Sequence, residues 1–150
     1  MHEPRVTRSL ATIGYEGKTV DEFLDALSNA GVELVIDVRA VAASRRPGFS
    51  KSALAAAVAE RGIGYLHFRA LGTPKPGREA ARKGRIAEMH AIYETQLATP
   101  EAELALAQAR EAASEQHAAL LCFEAAAGHC HRRIVAERLS AGGAFEVTDL

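Results

Sequence analysis

The fold of this chain is restricted most by short apolar runs that are each followed, at close range, by a segment of helical periodicity. Val32-Glu33-Leu34-Val35-Ile36-Asp37-Val38 is β-branched and almost continuously apolar, the pattern of a strand buried on both faces. Ala118–Phe123 reads the same way, and Leu10–Ile13, Ile63–Phe68 and Phe145–Thr148 supply three further strands. Between them, Thr19 and Glu22 have capping-box spacing ahead of Val20, Phe23, Leu24 and Leu27, with Gly31 at the left-handed stop. Ser50 caps a helix that runs through Glu60 with Leu54, Ala57 and Val58 inward and Gly62 past its end. Ile86, Met89, Tyr93 and Leu97 mark a third helix, Thr99-Pro100-Glu101 opens a fourth, and a last one runs from near Cys130 to Gly142-Gly143. Strands alternating with helices predict the α/β class: a Rossmann-like three-layer α/β/α sandwich around a mainly parallel sheet of about five strands.

A chain of 150 residues is read most simply as a single domain, 1–150, with residues 1–8 loose. Hydrophobic residues at 48% and charged residues at 25% place it among soluble globular proteins. The net charge of −1 argues against a strongly basic nucleic-acid binder and leaves room for a local basic patch. Two cysteines are too few for a disulfide scaffold. No apolar run reaches the length of a membrane span, and the opening residues lack a signal-peptide core, so the expectation is a cytoplasmic protein with no membrane partner.

Ionisable residues collect at the strand ends, and in a parallel sheet the carboxyl edge is where ligands bind. Around the turn after Ala118–Phe123 stand Glu124, Cys130, His131 and Arg132. A thiol at a helix N-terminus beside His and Arg is disposed to ionise, so Cys130 reads as a nucleophile or else as a small packing residue. Cys122, inside the strand, reads as core. His131 titrates near neutrality and suits general acid or base work. His129, Cys130 and His131 are immediate neighbours and no second ligand pair exists, so no metal site is assigned. Arg132 opposes the helix dipole and with free backbone N–H groups forms a phosphate or carboxylate receptor; Arg133 reads as solvated.

Asp37 and Arg39 end the second strand two residues apart. Either they pair with each other, or Asp37 faces Glu124 or Cys130 across the sheet edge, where paired carboxylates separate in pKa to serve as acid and base. Tyr15 follows the first strand and is placed to hydrogen-bond a ligand. Arg45 and Arg46, with the basic stretch Arg69–Arg85 that holds Lys75, Arg78, Arg82 and Lys83, form either a solvated face or a convergent anion site; that stretch reads as a mobile loop or short helix over the edge.

Taken in order, Thr12-Ile13-Gly14-Tyr15, Val35-Ile36-Asp37-Val38-Arg39, Ser44-Arg45-Arg46 leading to Phe49-Ser50, Tyr65-Leu66-His67 before Leu71-Gly72, and Leu121-Cys122-Phe123-Glu124 before Cys130-His131-Arg132 resemble the DUF488 family, a domain of unknown function, over essentially the whole chain. Thr73 stands where that family more often has a second glycine. The resemblance implies an α/β fold and a site at the sheet edge, and it supplies no reaction and no cofactor. A weaker similarity is to rhodanese-like domains, whose anion-cradling loop is shorter than the span from Cys122 to Arg132.

The chain is therefore read as an enzyme acting on a phosphorylated or nucleotide-like substrate, with Asp37, Glu124, Cys130 and His131 catalytic and Tyr15, Arg39, Arg45, Arg46 and Arg132 binding. The alternatives are a non-enzymatic nucleic-acid or nucleotide binding module, and sulfur transfer of the rhodanese kind.

Overall fold

The fold is taken from a computed structural model, which describes residues 8–44, 46–122, 131–141 and 145–150. Five strands, β1 (Arg8–Gly14), β2 (Leu34–Asp37), β3 (Gly64–His67), β4 (Ala118–Cys122) and β5 (Phe145–Asp149), form one sheet in the order β3-β2-β4-β1-β5. Every pairing is parallel. Among the described residues six helices intervene: α1 (Val20–Asn29), α2 (Lys51–Glu60), α3 (Lys75–Arg82), α4 (Ile86–Leu97), α5 (Pro100–Glu115) and α6 (His131–Leu139).

The alternation of side chains along the central strands splits the core in two. Ala11, Ile13, Val35, Ala119 and Leu121 point to the α1 and α2 side, where Phe23, Leu27, Leu54 and Val58 cover them. Leu10, Leu34, Ile36, Ala118 and Leu120 point to the other side, under α4, α5 and α6. This is the three-layer α/β/α sandwich, with β2, β4 and β1 buried along their shared length as their apolar runs require.

Local signals behave as their chemistry dictates. The Thr19 hydroxyl accepts from Glu22 N and the Glu22 carboxylate accepts from Thr19 N, a complete capping box. Gly31 is left-handed at φ +72°, and Val32 N donates to Leu27 O at 3.0 Å. Val32 thus belongs to the helix stop, so β2 begins later than the apolar run. Arg8, assigned from sequence to the loose leader, instead starts β1, because β5 gives it a register partner in Phe145.

Ser50 precedes α2 but makes no side-chain cap. Its Oγ accepts from Ser44 N at 3.0 Å and donates to Ser44 O at 3.2 Å, closing the base of the loop that follows β2. Phe49 anchors that loop from inside, stacked on Tyr15 at 4.5 Å and edge-on to Phe23 at 5.3 Å. The basic stretch after β3 is ordered into a 3-10 turn (Arg69–Leu71) and α3. Tyr93 and Gln96 of α4 pin that turn, donating to Leu71 O at 2.5 Å and to Ala70 O at 2.9 Å.

Gly72 joins the turn to α3 by packing directly on the loop after β2: a Cβ there meets Ala40 N at 2.1 Å and Ala40 Cα at 2.3 Å. Both contacts are backbone, so neither yields cheaply. Gly72→Ala should therefore destabilise the fold by about 1–3 kcal/mol or more through overpacking, read as a lowered urea midpoint at unchanged slope.

Candidate functional site

Adjacent strands β2 and β4 lead to helices on opposite faces of the sheet, α2 on one and α6 on the other. That reversal opens a crevice beyond their carboxyl ends. The two ends lie side by side: Asp37 is in register with Leu121, Val38 N donates to Leu121 O at 3.2 Å, and Tyr15 N donates to Cys122 O at 3.3 Å.

At the tip of β2 the Asp37 carboxylate is fully buried and held by Arg39 through Nε at 2.9 and 3.1 Å, Nη2 at 2.7 Å and the backbone N at 3.1 Å. Tyr65 of β3 donates its hydroxyl to the same carboxylate. Burial lifts the Tyr65 phenol above its ordinary range, and the bond to Asp37 lifts it further. Arg39 Nη1 donates to Phe49 O at 2.7 Å and to the Tyr15 hydroxyl at 3.4 Å, and its guanidinium lies 5.4 Å from the Tyr15 ring centroid. Burial works against the Arg39 charge; the Asp37 bonds and charge outweigh it and raise the Arg39 pKa. One guanidinium thus ties β2, the loop after it and the end of β1 together.

Two histidines grip consecutive carbonyls of the next residues. His131 of α6 donates through Nε2 to Val38 O at 2.6 Å, and His67 of β3 through Nε2 to Arg39 O at 2.7 Å. The carbonyls can only accept, which puts the ring proton of each on Nε2. Burial drives the His131 pKa down from 6.5 to about 4, with the Val38 carbonyl pulling the other way. Its imidazole is neutral at physiological pH, packed edge-on to Tyr93 at 5.3 Å.

Above this floor lies a cavity of about 760 Å³, within the range of small-molecule sites. Arg39, Tyr15, Cys122 and His131 line its sheet side; Val41, Ile86 and Met89 supply apolar wall; Arg78 and Arg82 of α3 line it too, and the Arg78 charge is felt at His131. Arg78 is fixed by a bond from Nη1 to Thr73 O at 3.0 Å. Among the described residues neither it nor Arg82 has a carboxylate partner, and none of those that line the cavity is a carboxylate. Among the described residues no cluster of His, Cys, Asp and Glu is arranged to hold a metal ion, and no helix is long and apolar enough to cross a membrane.

The structure thus gathers Tyr15, Asp37, Arg39 and His131 at one place and assigns them unequal parts. Asp37 forms the pair with Arg39, its oxygens accepting from Arg39 and Tyr65 and its side chain out of solvent. Arg132 is wholly buried and does not line the cavity; its Nη1 donates to Cys122 Sγ at 3.1 Å. The first turn of α6 therefore faces it toward the end of β4. Arg46 also lies outside the lining, with Nη2 on Lys18 O at 2.5 Å. Cys122 is core as expected. Arg45, Glu124 and Cys130 lie outside the described residues.

Sequence reasoning gave no role to Tyr65 and His67. Their signal was two polar-tipped rings at period two on the strand beside β2, which puts both on one face.

A family model described as "Domain of unknown function DUF488" matches residues 19–139. No curated protein and no solved structure matches the chain, and the similarity to rhodanese-like domains is not shown by these comparisons.

Removing one partner of the buried pair is expected to be far costlier than trimming its support. Asp37→Ala should cost about 3–5 kcal/mol by stranding Arg39, and Tyr65→Phe about 1–3 kcal/mol, both from urea denaturation. His131 is depressed in the fold, so the unfolded chain alone takes up a proton as pH falls below 6.5. Stability should decline between pH 6.5 and about 4 by roughly 3 kcal/mol from this group and level off below. His131→Gln should remove that part of the slope in denaturation midpoints followed across the range.

Proposed function

Given that the chain belongs to the DUF488 family, we propose that the cavity beyond β2 and β4 is where it binds and acts on a small anionic molecule, phosphorylated or nucleotide-like. The observation that carries this reading is the pair of guanidiniums, Arg78 and Arg82, lining a largely apolar cavity without a carboxylate among its described lining residues. Arg78 is half-buried and Arg82 exposed at the cavity, and guanidinium forks match phosphate and carboxylate oxygens geometrically. Tyr15 and Arg39 form the sheet-side wall as binding groups. His131, neutral with its proton on Nε2, offers an imidazole, not a charge, to chemistry there. Glu124, Cys130 and Arg45 belong to this reading by sequence position alone, and the binding step needs no thiolate.

The alternative of a nucleic-acid module fits less well. A polyanion backbone wants an open cationic surface, whereas Arg78 and Arg82 line a concavity, and the outer surface nearby mixes Lys75 and Lys83 with Glu79 and Glu88.

Phosphorylated small molecules, with nucleoside monophosphates and sugar phosphates as the panel, should raise the melting temperature while their dephosphorylated counterparts do not. Val41 lines the cavity yet is 55% exposed, so Val41→Glu adds a carboxylate at the mouth without disturbing the core. It should abolish the shift where Val41→Gln keeps it. Equal shifts from charged and uncharged members, or none from any, would sink the reading.

A further inference from the structure

The cations around the cavity are not equivalent, and their differences give the ligand a direction. At the sheet edge every described cation is answered or withdrawn. Arg39 lies 2.7 Å from the Asp37 carboxylate, Arg132 is buried beside Cys122 outside the lining, and His131 spends its ring proton on Val38 O. On α3, Arg78 and Arg82 stand four residues apart on one helix, the spacing that puts both on the same face. Like charges at that spacing oppose each other by about 0.2–0.5 kcal/mol, a repulsion that an anion seated between them reverses. Val41, Ile86 and Met89 lie along the same cavity, and the sheet side offers the Tyr15 hydroxyl and the His131 ring, which are dipoles. The Tyr15 ring carries Phe49 at 4.5 Å and the Arg39 guanidinium at 5.4 Å, and its hydroxyl accepts from Arg39 Nη1 at 3.4 Å.

We infer that the cavity takes a phosphomonoester of an uncharged, largely apolar body, with the phosphate on Arg78 and Arg82 of α3 and the body reaching to the sheet edge at Tyr15 and His131. This rests on the anion-binding reading above and adds the orientation and the class. A free phosphate leaves the apolar wall wet. A second phosphate has no described uncompensated cation at the sheet edge to receive it.

The test is calorimetric titration with 4-nitrophenyl phosphate and the nucleoside monophosphates, against inorganic phosphate, pyrophosphate and adenosine. At least one monoester should bind about tenfold or more tighter than all three controls, as expected for a pair of charge-assisted bonds. Arg78→Ala with Arg82→Ala should bring that monoester down to the level of the uncharged control. Lys75→Ala with Lys83→Ala removes the same charge from exposed neighbours outside the lining and should change affinity by no more than about twofold, an effect of screened surface charge. Loss of affinity in both double variants, or pyrophosphate binding as well as the best monoester, would overturn the orientation. Anion binding that is lost with Val41→Glu yet survives in the Arg78/Arg82 double variant would refute the inference and leave the broader reading standing. No binding by any phosphate compound would remove both.

Discussion

A carboxylate with no solvent exposure at the end of a parallel strand must find its donors nearby, and at Asp37 the answer is a single guanidinium two residues on. Arg39 does more than neutralise it. With Asp37 holding its Nε and Nη2, Nη1 is turned to Phe49 O and the Tyr15 hydroxyl. The loop after β2 is therefore hung from the strand it has just left. Phe49 then stacks on Tyr15, Ser44 and Ser50 close the loop base, and Ala40 is brought against Gly72. Take the ion pair away and each of these contacts loses the anchor that places it.

The fold was largely legible in the chain because its signals are local. Capping at Thr19, the left-handed Gly31 and Gly62, Pro100 at a helix start, and the unbroken apolar runs of β2 and β4 each act within a few residues. The boundaries shifted where a partner distant in sequence decided them, as β5 did for Arg8. The order of strands lay beyond reach for the same reason, since it depends on which apolar faces meet.

The site was legible in location and less so in roles. Residue types at strand ends picked out Tyr15, Asp37, Arg39 and His131, and the side-by-side ends of β2 and β4 bring them together. What sequence could not weigh was desolvation. Asp37 and Arg132 carry charge on paper, and the fold buries both, the first against Arg39 and Tyr65 and the second beside Cys122. Arg78 and Arg82 appeared only as part of a charge run; of that run's residues these two line the cavity, and Lys75 and Lys83 do not.

The two imidazoles on neighbouring carbonyls have a consequence for what the cavity can tolerate. Val38 and Arg39 are braced from β3 and from α6 at once, so the peptide planes beneath the cavity have no freedom to tilt toward a poorly fitting guest. The α3 side is an eight-residue helix whose N-cap makes no side-chain bond. Under the proposed binding, rejection by shape belongs to the sheet and accommodation of differing lengths to α3, so that related guests are distinguished by the end that carries no charge.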